Sequence, residues 1–394
     1  MKIEEKKSIG VFFGSRSPEH DISIITGQLI LSGLKKLDYQ AIPIYIDKQG
    51  RWLTHEKLGD LKSFTAQTDF SGFDEYYLDL EKSQGKLVFR RKGFRGKEIT
   101  VDLAFPALHG ANGEDGAIQG LFEMFNVPYV GCDVRSSAVA MDKILTKLFY
   151  KAQGILTSEF MYFTATDWQA NQSRLTTEIT NNLKWPLFVK PPLLGSSIGI
   201  SKVANVKDLE SAIEVALHYG STVLVEEGVE NLMDVTCAVL GFTDPRPSFL
   251  QESIYSENLL SYEDKYLNDG GAQTGKSSKS VVIPARLDQN TTKEIQDLSM
   301  KIFKLLSCSG IARFDFLYNT ETKKYYANEI NPLPGTLYHH LWSKSGIELS
   351  ELLSELIGFA QEKHSEKNKV VTTFASDILK LAGSTKLRLK GNSQ

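Results

Sequence analysis

The chain has 394 residues, 41% hydrophobic and 24% charged, the profile of a soluble globular protein of two or three domains. A formal net charge of −3 gives no electrostatic case for nucleic acid or an anionic membrane as partner. Three cysteines, Cys132, Cys237 and Cys308, stand far apart and odd in number, which argues against a disulfide framework or a zinc cluster.

The first residues, MKIEEKKSIG, carry no apolar signal core and no run approaches transmembrane length, so a cytoplasmic protein is expected. Residues 8–13 read as an apolar strand, followed by the turn Gly14-Ser15-Arg16. Ser17-Pro18-Glu19 has helix-start chemistry, with Ser as N-cap, Pro at the first helical position and an acid in the first turn. That helix should run to about Leu37 and lead into a strand over 41–46. Residues 55–100 are charged and weakly periodic, which predicts an insertion with one or two hairpins. A buried strand over 101–108 then feeds a glycine-rich turn, HGANGEDG, and a helix carrying Ile118, Leu121, Phe122 and Phe125 at helical spacing. A short strand is expected over 128–131, and a helix over 136–153 that Gly154 stops.

A composition shift across 156–174 suggests a boundary. Strands over 187–190, 198–203 and 223–227 follow, with a helix over 206–219 before the last. The remaining unit has strands near 235–241 and 249–255, a long polar loop, a strand over 281–284, a helix over 291–306, a hairpin and a helix from Glu348. From about Glu362 the tail is charged and only partly patterned.

The hairpin, GIARFDFLYNTETKKYYANEINPLPG over 310–335, holds the strongest chemical signal. Side chains alternate across a strand, so Arg313 and Asp315 share a face while Phe314 and Phe316 point to the other. On the return strand Glu329 and Asn331 share a face, with Ile330 opposite. If the two polar faces coincide, Asp315, Glu329 and Asn331 offer hard oxygen ligands beside a guanidinium, a set suited to Mg²⁺ holding phosphate oxygens. A solvated sheet face is the competing reading. The flanking apolar runs and the rigid Pro332-Leu333-Pro334-Gly335 corner favour the metal site.

Four further segments carry chemistry. In FVKPPLLGSSIGIS a strand delivers Lys190 to a loop of small residues whose backbone N–H groups can approach phosphate. In VLVEEGVE an apolar strand ends in Glu226 and Glu227, which fits either a purine edge or plain solvation. GGAQTGKS, 270–277, matches the phosphate-loop pattern with Lys276, yet SYEDKYLND precedes it and a strand, not a helix, follows. A P-loop phosphotransferase using Lys276 is therefore disfavoured, and a lid is the better reading. His109 opens the glycine-rich turn at a strand end, where open α/β sheets bind ligands.

In this order GSRSPEHDIS, ALHGANGEDGAIQG, MDKILTK, FVKPPLLGSSIGISKV, EDKY, and ARFDF with NEINPLPG resemble the motifs of the D-alanine-D-alanine ligase family, of ATP-grasp fold, over roughly residues 8–360. The resemblance implies a three-domain α/β architecture. An N-terminal open α/β sheet, 1–140, would bind the first amino acid, and a central α+β unit, 141–230, would bind ATP. A C-terminal α+β unit with a mixed sheet, 231–362, would carry catalysis, ahead of a charged tail, 363–394. It also implies a homodimer that joins two D-amino acids, most simply two D-alanines for peptidoglycan precursors, using ATP and two Mg²⁺ ions, with Mn²⁺ as a substitute.

On that resemblance Asp315, Glu329 and Asn331 are metal ligands, Lys143 and Lys190 hold ATP phosphates, and Lys265 helps close the lid. Glu226, Glu227 and Val229 line the adenine pocket, and Asp234 meets the ribose where the family usually has glutamate. Glu19, His109 and Ser196 orient the first amino acid, and Tyr266 links Glu19 to Ser196. Arg313 and the Gly335 amide stabilise the tetrahedral oxyanion, while His340 and Leu341 fall on the side of the second substrate.

One departure bears on specificity. The family usually runs through threonine and serine after the Pro-Gly corner, but here the run is TLYHHLWSK, and His340 stands where a carboxylate-gripping serine is expected. Its bulk, and its charge if protonated, open the way to another amino-acid acceptor, as in a ligase of specialised metabolism. Glu227, where lysine is common, is a lesser departure because contact with adenine there runs through the backbone. Tyr266 in EDKY favours an amine acceptor over D-lactate.

Overall fold

The computed structural model describes residues 6–64, 69–93, 96–254 and 281–376. Three sheets organise them. The first holds β1 (Ser8–Gly14), β2 (Gln40–Ile46), β3 (Trp52–Leu53), β4 (Glu75–Leu78), β5 (Leu87–Arg91), β6 (Glu98–Val101) and β7 (Leu103–Pro106), in the order β6-β5-β4-β3-β2-β1-β7. β1 is buried along its whole length and pairs parallel with β2 and β7, as its continuous apolar run requires. The insertion's expected hairpins are present as β3 to β6, which extend this sheet antiparallel.

α1 (His20–Leu34) follows β1 and starts after Glu19, not at Pro18. Ser17 Oγ accepts the Glu19 N–H at 3.1 Å, which sets a turn ahead of the helix and leaves Glu19 as its N-cap residue. The glycine-rich turn leads into α2 (Ala117–Met124). The strand expected over 128–131 shrinks to a single parallel bridge between Ala104 and Tyr129. The helix expected over 136–153 is two, α3 (Val134–Met141) and α4 (Lys143–Ala152). Asp142 separates them in an extended conformation and accepts the Ile144 and Leu145 N–H groups, so an N-cap wins over helix continuity.

The second sheet is antiparallel, in the order β10-β9-β11-β8, built from β8 (Phe160–Thr164), β9 (Leu187–Lys190), β10 (Ser201–Val203) and β11 (Thr222–Glu227). The stretch that composition marks as a boundary contains β8 and much of α5 (Ala165–Asn182). A capping box of Thr164 and Asp167 starts α5, but only Trp168, Leu175 and Ile179 are buried along it, too sparse an apolar pattern to signal a helix. α6 (Leu209–His218) covers the same sheet.

The third sheet joins β12 (Leu232–Gly241), β13 (Arg246–Ser253), β14 (Val281–Val282), β15 (Gly310–Asn319) and β16 (Tyr325–Asn331) in the order β14-β13-β12-β15-β16, all antiparallel. α7 (Gln289–Leu305) packs on it. After β16 come a turn, Gly335–Tyr338, then α8 (His339–Lys344) and α9 (Leu349–Asn368). α9 returns to the first unit. Leu352, Leu353, Leu356 and Ile357 share one core with Ile30, Leu31 and Leu34 of α1. A Cβ on Gly33 would meet Leu353 at 2.3 Å, so glycine permits the close crossing. The crossing presses the Gly335–Tyr338 turn against α1, where the Thr336 N–H donates to Thr26 Oγ1 at 3.0 Å. Among the described residues no helix is long and apolar enough to cross a membrane.

Candidate active site

The alternation read from the hairpin holds in three dimensions. Arg313 stands opposite Asn331, Phe314 opposite Ile330 and Asp315 opposite Glu329. Phe314, Phe316 and Ile330 enter the core, which leaves the four polar side chains on the other face. Arg313 Nη2 donates to Asp315 Oδ2 at 2.8 Å and lies 3.6 Å from Glu329 Oε1. Thr236 Oγ1 donates to Asp315 Oδ1 at 2.8 Å, and Lys143 Nζ approaches Glu329 Oε2 at 3.7 Å. Burial raises the Asp315 carboxyl above its ordinary range, Arg313 opposes this, and the charge of Glu329 adds to the rise. Two facing carboxylates with the Asn331 amide form the sparse oxygen set that fits Mg²⁺ sharing its shell with phosphates, and a dication relieves their mutual repulsion.

One cavity collects Glu19, Lys143, Ser196, Arg313, Glu329 and Asn331, which reach it from all three sheets' units. Ser196 Oγ donates to the Glu19 carboxylate. The loop that makes this contact is left-handed at Ser196 and Ser197, φ 55° and 61°, and a Cβ on Gly195 would press on Glu19 at 2.9 Å. Burial and the nearby Glu114 raise the Glu19 carboxyl, partly offset by the Ser196 hydrogen bond. Glu114 lines the same cavity and is missing from the sequence reading, although it lies inside HGANGEDG. Its Oε2 accepts the Gly110 N–H at 2.7 Å, whereas the buried Oε1 has no hydrogen-bond partner among the described residues. His109 sits beside it, with Nδ1 4.0 Å from Glu114 Oε1 and Nε2 2.8 Å from Thr26 Oγ1. Thr26 thus ties His109 to the backbone next to Gly335. Gly335 itself is buried in the turn.

Lys190 and Glu226 form an ion pair across the β9–β11 pair. The other carboxylate oxygen accepts Lys147 Nζ at 2.8 Å. Lys147 also donates to Thr157 Oγ1 at 3.0 Å and Ser158 Oγ at 2.8 Å. Burial pushes the Glu226 carboxyl up, but the two lysines outweigh it and hold it at about 2. Glu226 is 2% exposed, so the strand end is not a solvated one. Lys147 is the second residue that sequence reading missed; it closes the MDKILTK motif four residues after Lys143, one helical turn on. Lys143 Nζ donates to the Leu194 carbonyl at 2.8 Å. The Glu227 side chain turns away to accept the Lys184 N–H at 2.9 Å. Val229 is half-buried just beyond β11, and Asp234 lies on β12 opposite Leu317 and Ser253. Lys265, Tyr266 and Lys276 lie outside the described residues.

The corner after β16 is strained, with Thr336, Leu337 and Tyr338 all left-handed at φ 50°, 53° and 49°. Arg313 lies over the Tyr338 ring at 5.1 Å, and the Tyr338 and His340 rings are 4.8 Å apart. His340 Nε2 hydrogen-bonds Gln251 Oε1 at 2.7 Å, and Gln251 Nε2 donates to Tyr338 Oη at 3.4 Å. Burial, then His339 and Arg313, lower His340 to about 4, so at neutral pH it carries no charge. Burial thus works against the charge considered from sequence. With Nε2–H committed to Gln251, Nδ1, which has no hydrogen-bond partner among the described residues, is an acceptor. Leu341 is 0% exposed and packs in the core with Leu337 and Trp342.

The family profiles described as D-ala D-ala ligase N-terminus and D-ala D-ala ligase C-terminus match residues 8–132 and 149–358. The chain belongs to the D-alanine-D-alanine ligase family. The D-alanine–D-alanine ligase of Thermosipho melanesiensis is 38% identical over 377 residues, covering 95% of this chain and 98% of the relative. That of Caldicellulosiruptor bescii is 38% identical over 370 residues, covering 93% and 98%. Among solved structures, the D-alanine-D-alanine ligase of Coxiella burnetii superposes with a TM-score of 0.78 at 30% identity, covering 93% of this chain and 97% of its own. The VanG D-Ala:D-Ser ligase of Enterococcus faecalis gives 0.75 at 33%, covering 90% and 100%. The fold is the three-sheet ATP-grasp of this family.

Proposed function

We propose that this chain is an ATP-dependent ligase that joins D-alanine to a second D-amino acid, D-alanine itself in the simplest case, for peptidoglycan precursors. The observation that carries the reading is the convergence of Glu19, Ser196, Lys143, Arg313, Glu329 and Asn331 on one cavity within a chain matched by both family profiles. The family uses ATP and magnesium. Two Mg²⁺ ions, replaceable by Mn²⁺, would be held by Asp315, Glu329 and Asn331 and would neutralise the phosphate oxygens during transfer. Lys143 and Lys190 hold the phosphates, with Glu226 and Lys147 fixing Lys190 in place. Val229 and the Glu227 backbone border the adenine, and Asp234 takes the ribose.

The first amino acid's ammonium fits between the Glu19 carboxylate and Glu114 Oε1, which has no hydrogen-bond partner among the described residues, with His109 and Ser196 orienting it. Its carboxylate attacks the γ-phosphate and releases ADP. The amine of the second amino acid, once deprotonated, attacks the acyl phosphate carbonyl, and collapse of the tetrahedral intermediate expels inorganic phosphate. Arg313, whose buried Nη1 has no partner among the described residues, and the Gly335 amide supply preorganised donors for the oxyanion. Lys265 and Tyr266 belong to the lid in this account. A cytoplasmic homodimer, with no membrane or nucleic-acid partner, completes the proposal.

A second reading concerns only the acceptor. A neutral His340 whose Nδ1 has no partner among the described residues offers a hydrogen-bond acceptor where the family's serine stands, which suits an acceptor side chain carrying a donor. Incubation with Mg-ATP and a panel of D- and L-amino acids, with products identified by mass spectrometry, tests both. D-Alanyl-D-alanine formation supports the main reading, preferential formation of a mixed D-dipeptide supports the second, and no amino-acid-dependent ATP turnover overturns both.

A further inference from the structure

Besides the cavity lined by Glu19 and Arg313 there is a second of about 320 Å³, sharing no lining residue with it. Its floor is Val127, Pro128 and Tyr129, and its walls are the last turns of α9 and the segment entering α3. Lys363 reaches in from α9. Its Nζ donates to the Gly131 carbonyl at 2.7 Å and sits 3.9 Å from the centre of the Tyr129 ring. Among the described residues it has no carboxylate within 4.0 Å.

The other charges on the wall are already matched. Lys367 pairs with Glu123 at 3.3 Å, and Arg135 with Asp133 at 2.9 Å. Glu123 also accepts the Tyr129 hydroxyl at 2.8 Å, and His364 Nε2 bonds the Asn126 carbonyl at 2.9 Å. Lys363 therefore leaves the lining with one cation in excess. Partly burying an ammonium with no carboxylate beside it is costly, and a carbonyl and a ring face offset only part of that cost. Burial, aided by Lys367, brings Lys363 down to about 8 against the pull of Cys132, Asp133 and Glu123.

We propose that this cavity binds a small anion, a carboxylate or a phosphate, with its charge against the Lys363 ammonium and its body on Val127 and Pro128. Binding would knit α9 to the segment 123–135, which Lys363, His364 and Lys367 already grip at three successive points.

Competitive trace acetylation of the full-length protein with acetic anhydride, read lysine by lysine by mass spectrometry across pH, tests this without any variant. In chloride, Lys363 should titrate at about 8. With inorganic phosphate in one arm and propionate in another, at matched ionic strength, the favoured anion should raise that midpoint by about one unit, equivalent to tenfold tighter binding to the charged form. A shift with phosphate alone or with propionate alone assigns the anion class. Midpoints unchanged in both arms, or a Lys363 that acetic anhydride never labels, would overturn the proposal. Catalysis plays no part in the readout, so the outcome is independent of the ligase reading.

Discussion

Asp315 on β15 stands directly opposite Glu329 on β16, and both share Arg313 as their cation. Two carboxylates are placed this close in a buried cleft at an energetic cost that a bound dication removes. Glu329→Gln should therefore lower turnover at saturating Mg²⁺ by at least about 100-fold. Its thermal midpoint should stay within a few degrees of wild type, because Asp315 still pairs with Arg313. Wild-type turnover in this variant would remove the metal assignment.

Glu226 is the counter-charge of both Lys147 and Lys190, and Glu226→Gln leaves two ammonium groups uncompensated. A loss of about 3–5 kcal/mol in unfolding free energy is expected, readable by urea denaturation. The folded carboxyl near 2 lies below its ordinary 4.5, so its stabilisation is complete above about pH 4.5 and is lost as pH falls toward 2. That acid-side slope should be shallower in Glu226→Gln.

His340 should remain neutral throughout assays between about pH 6 and 8. Acceptor KM in His340→Ser should change in size but keep the wild-type pH dependence. A wild-type KM that worsens with rising pH and flattens only in the variant would restore a charged imidazole. Because its folded value near 4 lies below 6.5, the stability it confers is intact above pH 6.5 and declines as pH falls toward 4.

Among the described residues Glu114 Oε1 has no hydrogen-bond partner in the cavity it shares with Glu19, which predicts that Glu114→Gln raises the KM of the first amino acid about tenfold. The KM for ATP should not move. Equal weakening of both would show that the residue supports the cleft rather than the ammonium.

Sequence legibility followed the range of the interaction. The hairpin's two faces were readable because a period of two needs only neighbours, and Arg313, Asp315, Glu329 and Asn331 landed as the alternation requires. Lys147 and Glu226 are 79 positions apart, by subtraction of their numbers, and nothing local links them. Gln251 is likewise invisible as the partner of His340. α5 escaped because its buried residues are sparse, and the break at Asp142 because a cap inside an apolar pattern looks like an ordinary polar residue. The sign of His340 also had to wait for the fold, since burial sets it.

In the proposed reaction the first D-alanine's carboxylate is activated as an acyl phosphate. D-Alanine labelled with ¹⁸O in both carboxyl oxygens, turned over with Mg-ATP, tests it directly when the released phosphate is examined by mass spectrometry. Transfer of one ¹⁸O to inorganic phosphate for each dipeptide formed is the predicted result. Dipeptide formation with unlabelled phosphate would contradict the account.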